Sequence, residues 1–417
     1  MNATHAVHQD RIILEHAPAT AFAGVAARAG EVDATGLIPP ENWREIVESG
    51  YTRQFHPPQA GGTGADATRI AQSMEALARA CPGTYWAATV SALLCGKLVA
   101  TYSPAAEHAR LLHPLMSAEK LACFGIVEAA AGSDASTLRT TVSRAPDGGF
   151  LINGEKSRIT NAPIADLSVT IARMAPDEAD AADTSPGAEP AEPEWCLAFV
   201  DLHQPGVTRY HIPHMGLRGM PWGGVIFDNA RVAARDVVKV PFGQLEGELA
   251  EGMSWGWLLI SISSIAIAEA ALTASVEHAR ERVSFGRPLA HMEGVQAQLA
   301  DSRAQIDAAR LLARRALAAR VAGRPARDMI AKLKIYATEM AVQVLGRTVQ
   351  IHGASGVTRG STIERLYRDA QMNVIGGFTS NRLRETVAEG LGLGPAVYEP
   401  FDWLAASGLS TDPQAFA

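Results

Sequence analysis

Residues 295–323 read VQAQLADSRAQIDAARLLARRALAARVAG, and residues 325–353 read PARDMIAKLKIYATEMAVQVLGRTVQIHG. Apolar positions recur near helical spacing through both, Gly323 closes the first, and Pro325 opens the second. Long helices joined by so short a connection predict a helix bundle. Upstream, the apolar stretch from Trp255 to Leu272 is broken by Gly256, several serines and Glu269. A membrane-spanning helix needs about 20 mostly apolar residues. This stretch reads instead as a buried core helix, and no membrane association is expected.

N-terminal to the bundle the texture changes. Between about 120 and 245 the chain carries short β-branched runs separated by turns: GGFLINGEK (148–156), ADLSVTIAR (165–173), CLAFVDL (196–202), GVTRYHI (206–212) and GGVIFDN (223–229). Such spacing predicts a small barrel or sandwich. Earlier still the chain is Ala-rich and helical in period, as in ATRIAQSMEALARA (67–80), with the loop signal HPPQAGGTGAD (56–66) before it. The expected fold class is α+β and multidomain: an N-terminal all-α domain (1–117), a central β-barrel-like domain (118–245) and a C-terminal four-helix bundle (246–417). A β domain between two helical ones leaves a concave junction where an elongated ligand could lie.

The chain has 417 residues and 47% hydrophobic composition, enough for sizeable cores and too apolar for wholesale disorder. Its formal charge of −7 carries no nucleic-acid footprint. Seven acidic groups fall between Asp177 and Glu194 with no Lys or Arg among them, so the acidity is local. Residues 175–194 are an acidic Pro/Ala/Gly insert from which no core can be built, expected to be a mobile surface loop. Cys81, Cys95, Cys123 and Cys196 form no CxxC pair, so neither a disulfide framework nor a metal site is expected. A reducing cytoplasm is the simplest setting, and the N-terminus carries no signal-peptide pattern.

Several segments gain meaning together: FGIVEAAAGSD (124–134), GEKSRITNA (154–162), GLRG (216–219), RERVSFGRPL (280–289), QIHGASG (350–356) and RDAQMNVIGGFTSN (368–381). Their order and spacing resemble the acyl-CoA dehydrogenase superfamily from about residue 40 to 392. The resemblance implies FAD in extended form between the β domain, the bundle and a neighbouring subunit of a homodimer or homotetramer. It implies that Phe124, Ile126 and Val127 face the isoalloxazine ring, that Ser133 reaches cofactor or substrate, and that Thr160 lies near flavin N5. Val127 stands where the family usually has Thr. Arg158 stands where the family has a large aromatic; it would favour a reduced anionic flavin, pair with an acidic substrate, or point to solvent. Arg282 would contact a neighbour's pyrophosphate, with Ser284 and Phe285 by the adenosine half and Gln350 and Gly353 near the adenine. Thr379 and Asn381 complete the implied cofactor set. His352 reads as structural.

The catalytic base is where the pattern departs. In the family a Glu takes the α-proton of an acyl thioester while hydride leaves for the flavin; a base must sit within hydrogen-bond reach of that proton. The resemblance places Gly377 at the usual Glu position and Gly256, next to Trp257, at the alternative one. With a gap, the alternative falls on Ser263 and Ser264. Glu128, Asp134, Glu246, Glu248, Glu251 and Asp369 are the other acids weighed, and none fills the vacancy readily. The backbone N–H at Gly377 would still polarise a thioester carbonyl, so Gly377 also counts as substrate-binding. Losing the Glu is expected to open space beside the flavin.

The implied activity is FAD-dependent oxidation of an acyl thioester, on CoA or on an acyl carrier protein. The electron acceptor is left open between electron-transfer flavoprotein, oxygen and a reductase partner. A flavin-dependent monooxygenase on the same fold, and a non-redox flavin- or carrier-binding protein, are the alternatives.

Overall fold

The computed structural model describes residues 21–132, 137–175, 194–240 and 242–393, with the side chains of 242–252 outside that description. The acidic insert lies almost wholly outside the described residues, as do Ser133 and Asp134.

Among the longer helices of the N-terminal part, α1 spans Ala29–Thr35, α2 Pro40–Glu48, α3 Ala67–Ala80, α4 Pro82–Thr89 and α5 Gly96–Tyr102. Asp66 caps α3, its side chain accepting the Arg69 backbone N–H. A π-helical stretch, Val90–Cys95, joins α4 to α5 and is buried throughout. Within it the Ser91 hydroxyl accepts the Ala122 backbone N–H at 2.9 Å, so this turn locates the first strand.

Eight strands follow: β1 Ala122–Gly125, β2 Thr141–Arg144, β3 Phe150–Thr160, β4 Leu167–Met174, β5 Trp195–Asp201, β6 Val207–His211, β7 Trp222–Val232 and β8 Val237–Val240. They form one sheet in the order β6-β7-β3-β2-β4-β5-β8, with β1 parallel to β4 off that path. Each of the five runs expected from sequence overlaps a strand; β1, β2 and β8 are four-residue strands with too little alternation to announce themselves. The sheet has its own apolar core, with Val142, Ile152, Ala198, Val200 and Val225 buried together.

The C-terminal part holds α6 Phe242–Glu281, α7 Glu293–Val321, α8 Arg327–His352, α9 Thr362–Ile375 and α10 Ser380–Gly390. Helix α6 starts at Phe242, ahead of the expected boundary at 246. Its segment Met253–Glu281 is long and apolar enough to cross a membrane by length and composition, and its most apolar stretch is mostly buried inside the protein. Helices α7 and α8 fall where the periodicity places them, and Gly323 and Gly353 both adopt positive φ just beyond their ends. Ser361 accepts the Glu364 N–H to start α9. All four cysteines are buried and free.

Candidate active site

Three pieces of backbone carry the candidate residues: the segment after β1 and the end of β3, which are bonded to each other, and the loop between α9 and α10. Phe124 and Ile126 are buried and Val127 is half-buried at the end of β1. The segment is fixed from beneath. The Lys156 ammonium donates to the Ile126 carbonyl at 3.1 Å and to Glu128 Oε1 at 2.8 Å, and the Ser157 N–H donates to the Val127 carbonyl. Glu128 also accepts from the Arg139 and Thr140 N–H groups and the Thr140 hydroxyl. Burial pushes its carboxyl up, but those donors win and hold it at about 2. Glu128 is therefore an occupied structural anion and not a spare base.

Strand β3 carries a bulge at this end: register with β7 shifts between Lys156 and Ile159. Arg158 sits in the bulge at φ 58° and is exposed. A bulge inserts an unpaired residue and re-aims its side chain, which explains how Arg158 leaves the alternation of the strand. Two residues on, the Thr160 hydroxyl is half-buried and donates to Met220 Sδ at 3.3 Å, a weak acceptor. Asn161, at φ 69°, ties the turn to the helical domain by donating to the carbonyls of Ala87 (2.9 Å) and Ala122 (3.1 Å).

The third piece is Gly376–Gly377–Phe378. Lys334, fully buried on α8, spans it by donating to the carbonyls of Val374 and Phe378, each at 2.8 Å. Burial lowers this ammonium to about 8. Sequence reading passed over Lys334, although its place on the apolar stripe Ile330–Lys334–Ala337–Ala341 marks a lysine that must find partners inside.

The space expected beside Gly377 is filled, which corrects the expectation of a widened pocket. Gly377 has φ 63°, and a Cβ built on it would lie 2.7 Å from Ile260 Cδ1 and 3.2 Å from Trp257 Cδ1. Both belong to α6, whose apolar face packs under the loop, and the Trp257 ring lies 6.3 Å from that of Phe378. Gly256 differs: a Cβ there would meet Leu94 at an ordinary 3.8 Å. Ser263 and Ser264 are buried and receive the Asn373 amide at 3.2 and 3.0 Å, while Asn373 accepts from Trp86 Nε1 at 3.2 Å. That polar zipper joins α4, α6 and α9; neither serine is free for a substrate. Asp369 is buried and accepts the Leu217 N–H; burial raises its carboxyl to about 7, against the pull of that hydrogen bond. It fixes the GLRG turn. The side chains of Glu246, Glu248 and Glu251 lie outside the described residues.

The remaining candidates gather at another end of the bundle. Arg282, Phe285, Gln350 and Gly353 are all exposed, Phe285 by 93%. Val283–Ser284 pairs with Arg287–Pro288 as a tight hairpin whose two central residues, Phe285 and Gly286, have φ 53° and 76°. Positive φ at both positions is the type I′ turn that suits a two-residue hairpin. His278 at the end of α6 stacks on His352 at the end of α8, with centroids 4.1 Å apart, and so holds the hairpin beside Gln350 and Gly353. Burial and the His278 charge lower His352 to about 4, in keeping with its structural reading. Thr379 caps α10 by accepting the Arg382 N–H, and the exposed Asn381 accepts from Arg384. A groove of about 880 Å³, lined by Leu37, Trp43, His211, Arg218 and Arg359 among others, includes none of the sequence-predicted site residues.

The donor set suits a flavin. Phe124 and Ile126 offer an apolar wall, Thr160 a hydroxyl resting only on sulfur, and the distant hairpin a guanidinium for a diphosphate.

Three family models match in chain order: "Acyl-CoA dehydrogenase, N-terminal domain" at residues 8–119, the middle domain at 123–230 and the C-terminal domain at 249–392. The chain is 30% identical over 374 residues to a 3-(aryl)acrylate reductase of Clostridium sporogenes, covering 87% of this chain and 93% of that one. It is 29% identical over 370 residues to the caffeyl-CoA reductase–Etf complex subunit CarC of Acetobacterium woodii, covering 87% and 92%. The structure of butyryl-CoA dehydrogenase from Megasphaera elsdenii superposes with a TM-score of 0.81 at 26% identity, covering 88% of this chain and 94% of that one. The monooxygenase and non-redox readings find no support among these relatives. With three family domains in chain order and its flavin-compatible donors, the chain belongs to the acyl-CoA dehydrogenase family and is an FAD-dependent oxidoreductase acting on CoA thioesters.

Proposed function

We propose that this protein exchanges two electrons with an acyl-CoA without a glutamate base at either family position. The observation that carries this reading is the packing at Gly377: Ile260 and Trp257 occupy the room a side chain would need. FAD, when bound, supplies the two-electron exchange with the acyl chain. Phe124, Ile126 and Val127 would line its ring system and Thr160 would donate to it. Arg158, re-aimed by the bulge, would place a cation at its edge. Arg282, Ser284, Phe285, Gln350 and Gly353 would hold the nucleotide half belonging to a second copy of the chain; an aromatic left 93% exposed at a hairpin tip suits burial against such a copy. Thr379 and Asn381 lie at the cap of α10 and would add contacts there.

The Gly377 N–H would polarise the thioester carbonyl, since a backbone donor is indifferent to the missing side chain. Lys334 holds that donor still. With no carboxylate at 377 or 256, the α-proton would leave to a non-standard residue, to water or to a group on the substrate, and acyl groups whose α-position is already acidic lessen the need for a strong base. An electron-transfer flavoprotein is the proposed acceptor, supported by likeness to the CarC subunit of an Etf complex. Four buried free thiols suit a reducing cytoplasm.

The test is spectroscopic. Purified protein should be yellow and, kept anaerobic, should bleach with an α-activated acyl-CoA faster than with a saturated one. No bleaching across a broad panel would end the reading. Arg282→Ala should lower FAD retention on gel filtration, where the wild type should run as more than one copy.

A further inference from the structure

Helix α4 touches both halves of the candidate site through adjacent residues. The Ala87 carbonyl accepts from the Asn161 amide at 2.9 Å, one residue beyond Thr160. The tip of the Trp86 ring, Cη2, lies 3.2 Å from where a Cβ would leave Gly376. From α6, Ile260 Cδ1 lies 3.7 Å from that same point and 2.7 Å from the corresponding point at Gly377. The Gly376–Gly377 backbone is thus met at contact distance by a ring from α4 and a methyl group from α6. Trp86 is also held in place. It is buried, and its Nε1–H donates at 3.2 Å to Asn373, whose amide is fixed in turn on Ser263 and Ser264.

We propose that Trp86 is a specificity-determining residue which, with Ile260, closes the bundle to the acyl chain and restricts the substrate to short acyl-CoA esters of propionyl to butyryl size. The inference rests on the site assigned above, since it needs the thioester carbonyl at the Gly377 N–H. A chain growing from that carbonyl into the bundle meets Trp86 and Ile260 between α4 and α6, and the wall at Phe124, Ile126 and Thr160 belongs to the cofactor. Close-packed interiors yield such room only by moving side chains. Here the move would pull a buried indole off its hydrogen bond to Asn373. Added methylenes therefore meet packed atoms and not an empty slot, and the burial that normally tightens the hold on a longer chain is lost.

The experiment compares butyryl-CoA, octanoyl-CoA and 3-phenylpropionyl-CoA on FAD-loaded wild-type and Trp86→Ala protein. Dissociation constants come from anaerobic equilibrium dialysis, which counts bound ester whether or not the flavin has bleached. The wild type should hold butyryl-CoA about tenfold or more tightly than either larger ester, and Trp86→Ala should narrow the octanoyl gap by about tenfold. Trp86→Leu makes a smaller cut in the same ring and replaces the alanine variant if that one does not fold. Wild-type protein that holds octanoyl-CoA or 3-phenylpropionyl-CoA as tightly as butyryl-CoA overturns the proposal, and that arm needs no variant. A folded Trp86 variant with the gap unchanged overturns it too. Should no ester bind wild-type protein, the active-site assignment itself fails, an outcome distinct from equal binding.

Discussion

Gly377 and Gly256 are the same residue type in opposite situations. At 377 the backbone is left-handed and the side-chain direction is closed by Ile260 and Trp257, while at 256 the nearest atom is a leucine methyl at 3.8 Å. A Glu at 377 must pay for positive φ, roughly 1–3 kcal/mol, and for overpacking of similar size. Gly377→Glu should therefore lower the melting temperature by several degrees in a calorimetric scan and should not speed flavin bleaching. Gly256→Glu meets no clash at its Cβ but sets a carboxyl at a buried position of α6, so it should fold with some loss of stability. By supplying a carboxylate at the alternative family position, it should raise the bleaching rate with butyryl-CoA by about 10²-fold or more in stopped flow. A Gly256→Glu enzyme no faster than wild type would mean that position 256 does not face the acyl chain.

The loop between α9 and α10 is an element shaped from outside itself. Two carbonyls at its ends, those of Val374 and Phe378, share one buried ammonium. Lys334→Met keeps the apolar length of the side chain and removes both donors. It should leave the circular dichroism spectrum unchanged, cut the bleaching rate about tenfold, and weaken acyl-CoA binding less than it slows the reaction. A purely structural lysine would instead lower stability with the kinetics intact. Loosening of the loop should also appear as faster amide hydrogen exchange confined to residues 375–379.

At the level of the whole molecule, the N-terminal helices are pinned to the bundle by a buried charge cluster. Arg310, 0% exposed, donates to Glu75 on α3 at 3.0 Å and to Glu269 on α6 at 2.7 Å, and Arg303 grips the same Glu269 at 2.9 and 2.7 Å. Burial opposes ionisation of Glu269, yet the two guanidinium groups hold it at about 2. A carboxyl lowered on folding stabilises fully above its ordinary value near 4.5, and that contribution is lost as pH falls toward 2. Acid melts should accordingly steepen below about pH 4.5. Arg310→Met removes one cation from each carboxylate and leaves Glu269 to Arg303 and Glu75 to Arg314, so it should cost about 1.5–3 kcal/mol at neutral pH. Part of that loss should disappear at low pH, where Glu269 takes up a proton; a pH-independent loss would refute the linkage.

The bundle, the five main strands and the glycine stops were legible in the chain because apolar periodicity and turn chemistry act over a few residues. Motif order carried the family, and the glycines at 377 and 256 could be read off directly. What the chain could not show was what stands beside Gly377. The removal of a side chain reads in sequence as a gain of space, but interiors close-pack, and the space was claimed by Trp257 and Ile260 from a helix more than a hundred positions away. Lys334 and the Asn373 zipper were hidden for the same reason: their partners are carbonyls and hydroxyls on other helices, joined only when the bundle assembles. Local chemistry determined which elements form, and the tertiary structure decided which atoms they press together.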